Sequence, residues 1–311
     1  MTAYPGPAPT RDEQATVAAV VVTYDSGESL TEFLDSLQQA SAREVEVIVA
    51  DNGSMDGAPE VADKRAGVRV LNTGQNLGYG KAANLGVLSS SADWVVVANP
   101  DVVWTPGSLD ELLAVAQRWP RAGSIGPLIR TPDGDVYPSA RQLPSLTRGI
   151  GHAAFGWFWP TNRWTAAYRQ DHTDLRERPA GWLSGSCILL RRIAFDSVDG
   201  FDPSYFMYFE DVDLGDRLGR AGWLNVYAPS AEVSHVGAHS TARHAEAMLT
   251  EHHRSAYQYL SRRYSGVGRL PIRLALRIGL ALRAKLAPRL AEVAERRRAR
   301  LQADRGDRHV R

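Results

Sequence analysis

The chain is poor in several things, and each scarcity excludes a class of protein. It has one cysteine, Cys187, in 311 residues. Without a second there is no intrachain disulfide scaffold and no structural zinc site built on cysteines. No run of eighteen apolar residues occurs, so no segment reads as a membrane span. Nor is there an overall excess of one charge, since 36 Lys+Arg stand against 35 Asp+Glu. Hydrophobic residues make up 44% and aromatics 8%, which excludes overall disorder and suffices for a real core. Residues 1–16 carry Pro5, Pro7 and Pro9 and lack an apolar signal core. They are expected to form a flexible tail on a cytoplasmic protein.

The balanced total hides an asymmetry. Residues 262–311 hold fifteen Lys/Arg and four Asp/Glu, which leaves 21 basic and 31 acidic residues in the rest. An acidic body with a basic tail implies two kinds of partner.

Along the front half, short apolar runs alternate with amphipathic stretches. Val17–Thr23 reads VAAVVVT, without polar alternation, as a strand buried on both faces should. Leu30, Phe33, Leu34 and Leu37 predict a helix over Glu28–Gln39, with Ser26 as its cap. Strands are then expected at Val45–Ala50, Val68–Leu71 and Trp94–Ala98, with helices at Pro59–Ala66 and Lys81–Ser89 between them. This order predicts an α/β fold with a mostly parallel central sheet flanked by helices. Ligands of such sheets bind at the carboxyl ends of the strands. Thr23, Tyr24, Asp25, Asp51, Asn52, Asn72 to Gly80 and Asn99-Pro100-Asp101 all follow strands. Further on, Gly181–Leu190 is expected as a strand and Phe201–Gly222 as a loop entering a helix.

Three constellations carry chemistry. Asn99-Pro100-Asp101 places a carboxylate at a strand end, a natural ligand for a hard cation such as magnesium. The bland alternative is a turn, which favours the same residues. Glu210, Asp211 and Asp213 open a helix after the aromatic run Tyr205, Phe206, Tyr208, Phe209. Acids at a helix start gain from its dipole, but three crowded carboxylates also suit a general base. Ser234 to Ser240 contains His235 and His239, and an imidazole there can complete a metal shell, especially for manganese. A decoy also stands in the chain. Gly78-Tyr79-Gly80-Lys81-Ala82-Ala83 fits the dinucleotide pattern but does not follow the first strand, where that pattern belongs. Glycines 74, 78 and 80 would still let backbone amides approach a phosphate.

Seven segments in order, from VVVTYDSGESL through VIVADNGSMDG, NTGQNLGYGKAANLG, VVVANPDV, GWLSGSCILLRR and DGFDPSYFMYFEDVDLGDRLGRAGW to SHVGAHS, resemble the inverting family-2 glycosyltransferases of GT-A fold. Within that family the chain is most similar to rhamnosyltransferases, in which Asn-Pro-Asp replaces the usual D-x-D. The resemblance implies a GT-A domain over 17–260, with a nucleotide-sugar half (17–102) and an acceptor half (103–260), followed by a basic amphipathic helical tail (261–311). It implies transfer of L-rhamnose from dTDP-L-rhamnose to a polyprenyl-diphosphate-linked N-acetylglucosamine in arabinogalactan-linker synthesis, assisted by Mn2+ or Mg2+. Carried over by residue, Thr23, Tyr24, Asp51, Asn76, Gly78, Lys81, Asn99 and Asp101 bind the nucleotide sugar. Asp101 and His235 hold the metal. Trp182, Ser184 and Gly185 belong to the acceptor pocket. Asp211 is the base, with Glu210 and Asp213 as supporting acids. The asparagine at position 99 removes one carboxylate of the usual pair, which bears on metal affinity more than on metal use.

The tail supplies its own argument for location. Leu270, Leu274, Ile278 and Leu282 share one side of a helix, and Arg269, Arg273 and Arg277 step along another. This pattern suits an anionic membrane surface, reached from the cytoplasmic face as a peripheral protein, rather than a nucleic acid. The aromatic stretch Phe155–Trp164 suits the same boundary or a core. Self-association into a homo-oligomer is left open. The competing readings are a glycosyltransferase for another polysaccharide or O-antigen-like glycan, a nucleotidyltransferase, an NAD-dependent oxidoreductase and a non-enzymatic sugar-binding protein. Thr23–Gly27 is not the Gly-rich, Arg-containing loop a nucleotidyltransferase wants, and the acids at 210–213 argue against a mere binder.

Overall fold

The computed structural model describes residues 15–144, 174–237 and 245–279. The first half alternates as its apolar pattern dictates: β1 (Val17–Thr23), α1 (Glu28–Ala40), β2 (Val45–Asp51), α2 (Ala58–Ala62), β3 (Val68–Asn72), α3 (Tyr79–Leu88) and β4 (Trp94–Ala98). All seven residues of β1 are buried, and the reason lies on its two faces. Val17, Ala19 and Val21 pack with Leu30, Phe33, Leu34 and Leu37 of α1, while Ala18, Val20 and Val22 pack with Ala82, Ala83 and Val87 of α3. A methyl group on Gly86 would lie 2.4 Å from Val20 Cγ1, so glycine there lets α3 rest directly on β1.

These four strands are parallel, in the order β3-β2-β1-β4. The chain steps outward from β1 to β3 and then returns across β1 to β4. At such a reversal the loops after the two central strands part and leave a crevice.

The second half contributes β5 (Val102–Trp104), α4 (Ser108–Arg118), β6 (Ala122–Arg130), β7 (Val136–Tyr137), β8 (Ala140–Arg141), β9 (Arg178–Ala180), β10 (Trp182–Leu183), β11 (Cys187–Arg191), α5 (Arg192–Asp196), α6 (Glu210–Arg220) and β12 (Leu224–His235). The sheet continues β4-β11-β6-β12-β5, with β7 on β6 and β9 on β12, to ten strands in all. β11 runs antiparallel to both neighbours while β6 and β12 are parallel, so the sheet is mixed beyond β4. β8 and β10 form a separate two-stranded sheet.

Some local expectations are corrected. The single strand expected at Gly181–Leu190 is two strands in different sheets, because Ser184-Gly185-Ser186 leaves the ladder. Ser184 N donates to Ser139 O (2.7 Å), and Asn99 N donates to Ser186 O (2.9 Å). The cap of α1 is Gly27 without a side-chain bond, and the Ser26 hydroxyl instead meets the Thr23 hydroxyl at 2.5 Å. α2 stops at Ala62, short of Ala66, and α3 begins two residues early at Tyr79. Residues 1–14, the Phe155–Trp164 stretch, His239, and the tail beyond 279, Leu282 included, lie outside the described residues.

The described residues form two compact units. One runs through Phe206 and resumes from Glu210 to 237; the other joins Met207–Phe209 to residues 245–279. In the second unit, α7 (Ala245–Arg263) holds the short segment. Ser255 Oγ donates to Met207 O (2.9 Å), and the rings of Tyr208 and Phe209 lie 5.3 and 5.5 Å from the His252 ring. Residues 270–279 are helical, with Leu270, Leu274 and Ile278 exposed. Among the described residues no helix is long and apolar enough to cross a membrane.

Candidate active site

The loops that follow the four parallel strands lie along one edge of the sheet, at the β1–β4 reversal. Thr23 is fully buried at the end of β1, and Tyr24 beside it is 46% exposed. Asp51 and Asn52 are buried at the end of β2. Asp51 Oδ1 accepts from Ser54 N (2.9 Å). Asn52 organises the next loop, since its Oδ1 accepts from Leu77 N (2.9 Å) and its Nδ2 donates to Gly78 O (3.3 Å). Several amides of that loop are already taken. Gly74 N donates to Asn72 Oδ1, Gly78 N to Asn76 Oδ1 and Tyr79 N to Phe206 O. The phosphate cradle expected from Gly74 and Gly78 is therefore filled by the loop's own acceptors. Lys81 lies exposed on α3.

The residues after β4 turn toward β12. Pairing of β12 with β5 sets His235 opposite Val102, next to Asp101. His235 Nε2 lies 3.0 Å from Asp101 Oδ1 and 3.2 Å from Asn99 Nδ2. Asp101 Oδ2 accepts from Gly237 N (3.1 Å), and its carbonyl accepts from Val236 N (3.1 Å). Asp101 and His235, far apart in sequence, are thus brought into contact.

Glu210 and Asp211 open α6 directly after Tyr208 and Phe209, whose φ of +66° and +65° is costly for side chains of this size. The two acids differ in surroundings. Asp211 is half-buried, and its Oδ2 accepts from Gly185 N (3.0 Å) while its Oδ1 accepts from Val212 N (2.8 Å). Burial pushes its carboxyl up, against those two amides and the nearby Arg141 guanidinium. Glu210 is buried, and its Oε2 has no partner among the described residues. Burial first, and the Asp211 charge second, push it up to about 8. Two neighbouring amides and a cation favour the charged form of Asp211, whereas Glu210 has only its own backbone amide. Of the two carboxyls, Glu210 is therefore the one pushed further toward its protonated form. Asp213 faces away from this work: its Oδ2 accepts from Arg217 Nε (2.6 Å) along the helix.

Tyr79 joins the two centres. Its hydroxyl donates to Gly185 O (2.5 Å), on the loop that binds Asp211. The next residue, Ser186, receives the Asn99 amide beside Asp101. Burial, then the charges of Glu210, Asp211 and Asp101, hold the Tyr79 phenol well above its usual range, so it stays a donor. Two participants escaped the sequence reading. Tyr79 had a signal, being an aromatic between two glycines at a strand-to-helix junction. Arg141 had none, because its β8 strand is two residues long. Trp182 pairs with Arg141 across β8 and β10, and Ser184 and Gly185 are buried in the turn that follows.

A carboxylate–imidazole pair linked through the 184–186 loop to a second carboxylate is a layout suited to group transfer with an anionic leaving group. The family model described as Glycosyl transferase family 2 matches residues 18–199, and the chain belongs to that family. It is 58% identical over 291 residues to the N-acetylglucosaminyl-diphospho-decaprenol L-rhamnosyltransferase of Mycobacterium tuberculosis, covering 90% of this chain and 95% of that one. It is 25% identical to the rhamnosyltransferase WbbL of Escherichia coli, over 79% of this chain and 93% of that one. Among solved structures, the mannosyltransferase PcManGT from Pyrobaculum calidifontis, in complex with GDP-Man and Mn2+, superposes with a TM-score of 0.58 at 17% identity. That superposition covers 96% of this chain and 84% of that one, and it shows a shared GT-A-like fold.

Proposed function

We propose that this chain transfers L-rhamnose from dTDP-L-rhamnose, with inversion, to a polyprenyl-diphosphate-linked N-acetylglucosamine, the arabinogalactan-linker step of cell-wall synthesis. The observation that carries this reading is the 58% identity to the mycobacterial rhamnosyltransferase over nearly the whole of both chains.

The site supplies the chemistry. Asp211, ionised and aimed by the amides of Gly185 and Val212, takes the proton of the acceptor hydroxyl as it attacks the anomeric carbon. Glu210 beside it stays protonated, so it adds no second negative charge against the incoming oxygen. A single displacement from the opposite face converts a β-linked donor into an α-linked product. Thr23, Tyr24, Asp51, Asn76 and Lys81 lie around the strand ends where the nucleotide is expected, with Gly78 shaping the loop. Trp182, Ser184 and Gly185 flank the base on the acceptor side. Asp213, bound to Arg217, supports the helix that carries the base.

The fit of a divalent metal rests on Asp101 and His235. Adjacent ligands on a cation with bonds of about 2.1 Å are about 3.0 Å apart. Asp101 Oδ1 and His235 Nε2 have that 3.0 Å separation. Among the described residues no group of three His, Cys, Asp or Glu gathers, so the protein offers two ligands and leaves the rest to diphosphate and water. Mn2+ or Mg2+ held there would offset the negative charge that develops on the departing diphosphate.

The lipid acceptor places the reaction at a membrane. The exposed Leu270, Leu274 and Ile278, together with Arg269, Arg273 and Arg277, suit a helix lying on the anionic cytoplasmic leaflet. The test is a panel of nucleotide sugars, with Mn2+ or with chelator, against polyprenyl-diphospho-N-acetylglucosamine. Release of dTDP from dTDP-L-rhamnose, dependent on acceptor and metal, is expected. Turnover of another donor in its place would remove the rhamnose reading.

A further inference from the structure

Among the described residues Arg141 makes no ion pair, although it lies close enough to Asp211 to favour that carboxylate's charged form. Its Nε donates to Pro138 O (2.7 Å), and its guanidinium lies over the rings of Tyr137 (5.7 Å) and Trp182 (5.5 Å). No carboxylate pairs with it among the described residues, whereas Arg118, Arg130, Arg192 and Arg217 each have one. One carbonyl and two nearby aromatic rings hold the group in place, and its terminal nitrogens have no hydrogen-bond partner among the described residues. A guanidinium held in this way is organised for two parallel bonds to an oxyanion.

Its address is set by the two-stranded sheet. Arg141 pairs with Trp182, and Gly181 N donates to Arg141 O (2.9 Å). A methyl group on Gly215 would lie 2.8 Å from Trp182 Cβ, so this sheet is pressed onto α6, the helix that begins with the acid pair. Three residues after Trp182, Gly185 binds Asp211. Arg141 thus flanks the proton-accepting carboxylate, and it is attached to the 137–143 segment rather than to the strand-end loops around Asn52, Asn76 and Asp101.

We propose that Arg141 binds the diphosphate of the acceptor lipid and so makes this enzyme selective for a sugar that carries that group. The inference rests on the function proposed above. Every ring hydroxyl of a pyranose lies within one ring width of its anomeric substituent. When the acceptor hydroxyl meets Asp211, the anomeric phosphate must therefore come close by, and Arg141 is a cation near Asp211 that makes no ion pair among the described residues. The same cation would favour the ionised base until the lipid arrives and takes up its charge. The donor also carries a diphosphate, and the test separates the two sources.

Steady-state kinetics of Arg141→Gln and Arg141→Lys are compared with the unchanged protein, varying acceptor and donor separately. Arg141→Gln should raise the KM for polyprenyl-diphospho-N-acetylglucosamine about tenfold or more, the loss typical of a charge-assisted pair. The KM for dTDP-L-rhamnose should change little, and kcat is not the readout because Arg141 also stands near Asp211. Arg141→Lys keeps the charge without the fork and should fall between. Because KM does not depend on the fraction of folded enzyme, partial misfolding leaves the comparison intact. An acceptor KM unchanged in both variants, or a rise confined to the donor KM, overturns the proposal. Should the unchanged protein transfer nothing to this acceptor, the proposed function itself fails, a result distinct from either.

Discussion

Asp211 and Glu210 are neighbours in sequence with opposite assignments, and the difference comes from what surrounds each carboxylate. Asp211 accepts two backbone amides and lies near Arg141, whereas Glu210 has a buried oxygen with no partner among the described residues. Asp211→Asn keeps the shape and removes the base. It should lower kcat about 10²- to 10⁴-fold while donor affinity, read by titration with dTDP, stays the same. For Glu210 the consequence concerns stability. Its folded pKa of about 8 lies above the ordinary 4.5, so the folded protein holds a proton that the unfolded chain has lost. That contribution is complete below pH 4.5 and disappears as pH rises through about 8. Glu210→Gln should therefore flatten the fall of stability across this interval, measured by urea unfolding at a series of pH values. An unchanged slope would mean that Glu210 ionises normally in the folded state.

Among the elements, the junction from β3 to α3 shows how a glycine expected at a ligand site also serves as a packing device. Gly78 has a φ of +87°, and a methyl group there would sit 2.2 Å from Phe206 O. Its role is close approach to the 201–206 segment, which receives the Tyr79 amide. Gly78→Ala must both strain the backbone and push that segment away. A loss of about 1–3 kcal/mol is expected from urea melts, the usual scale for a forced backbone or overpacked contact. The periodic elements of the front half, β1 to β4 with their helices, were readable because each buries a full apolar stripe. The Gly181–Leu190 stretch misled because an apolar run broken by small polar residues carries no mark of which sheet each half joins. Arg141 was invisible for a related reason: its β8 strand acquires meaning only opposite Trp182.

For the molecule as a whole, the proposed function assigns sugar chemistry to the acidic body and location to the basic tail. A helix with Leu270, Leu274 and Ile278 exposed has an apolar edge turned to solvent, which an interface would cover. Deleting residues 271–311 should move the protein from vesicles containing anionic lipid to the supernatant in a flotation assay. Transfer to a short-chain, water-soluble acceptor should persist. Equal vesicle recovery of both forms would take the tail out of membrane binding.

Hydrophobic period and strand-end polarity are local properties, and they were enough to read the α/β class, the parallel front half and the clustering of Thr23, Asp51 and Asp101 at one edge. Proximity between distant segments is not local. The meeting of Asp101 with His235 and Gly237, the bond from Gly185 to Asp211 and the packing of Arg141 by Trp182 each join residues between 26 and 136 positions apart. Those contacts arise from sheet order and packing, which no stretch of neighbouring residues encodes alone.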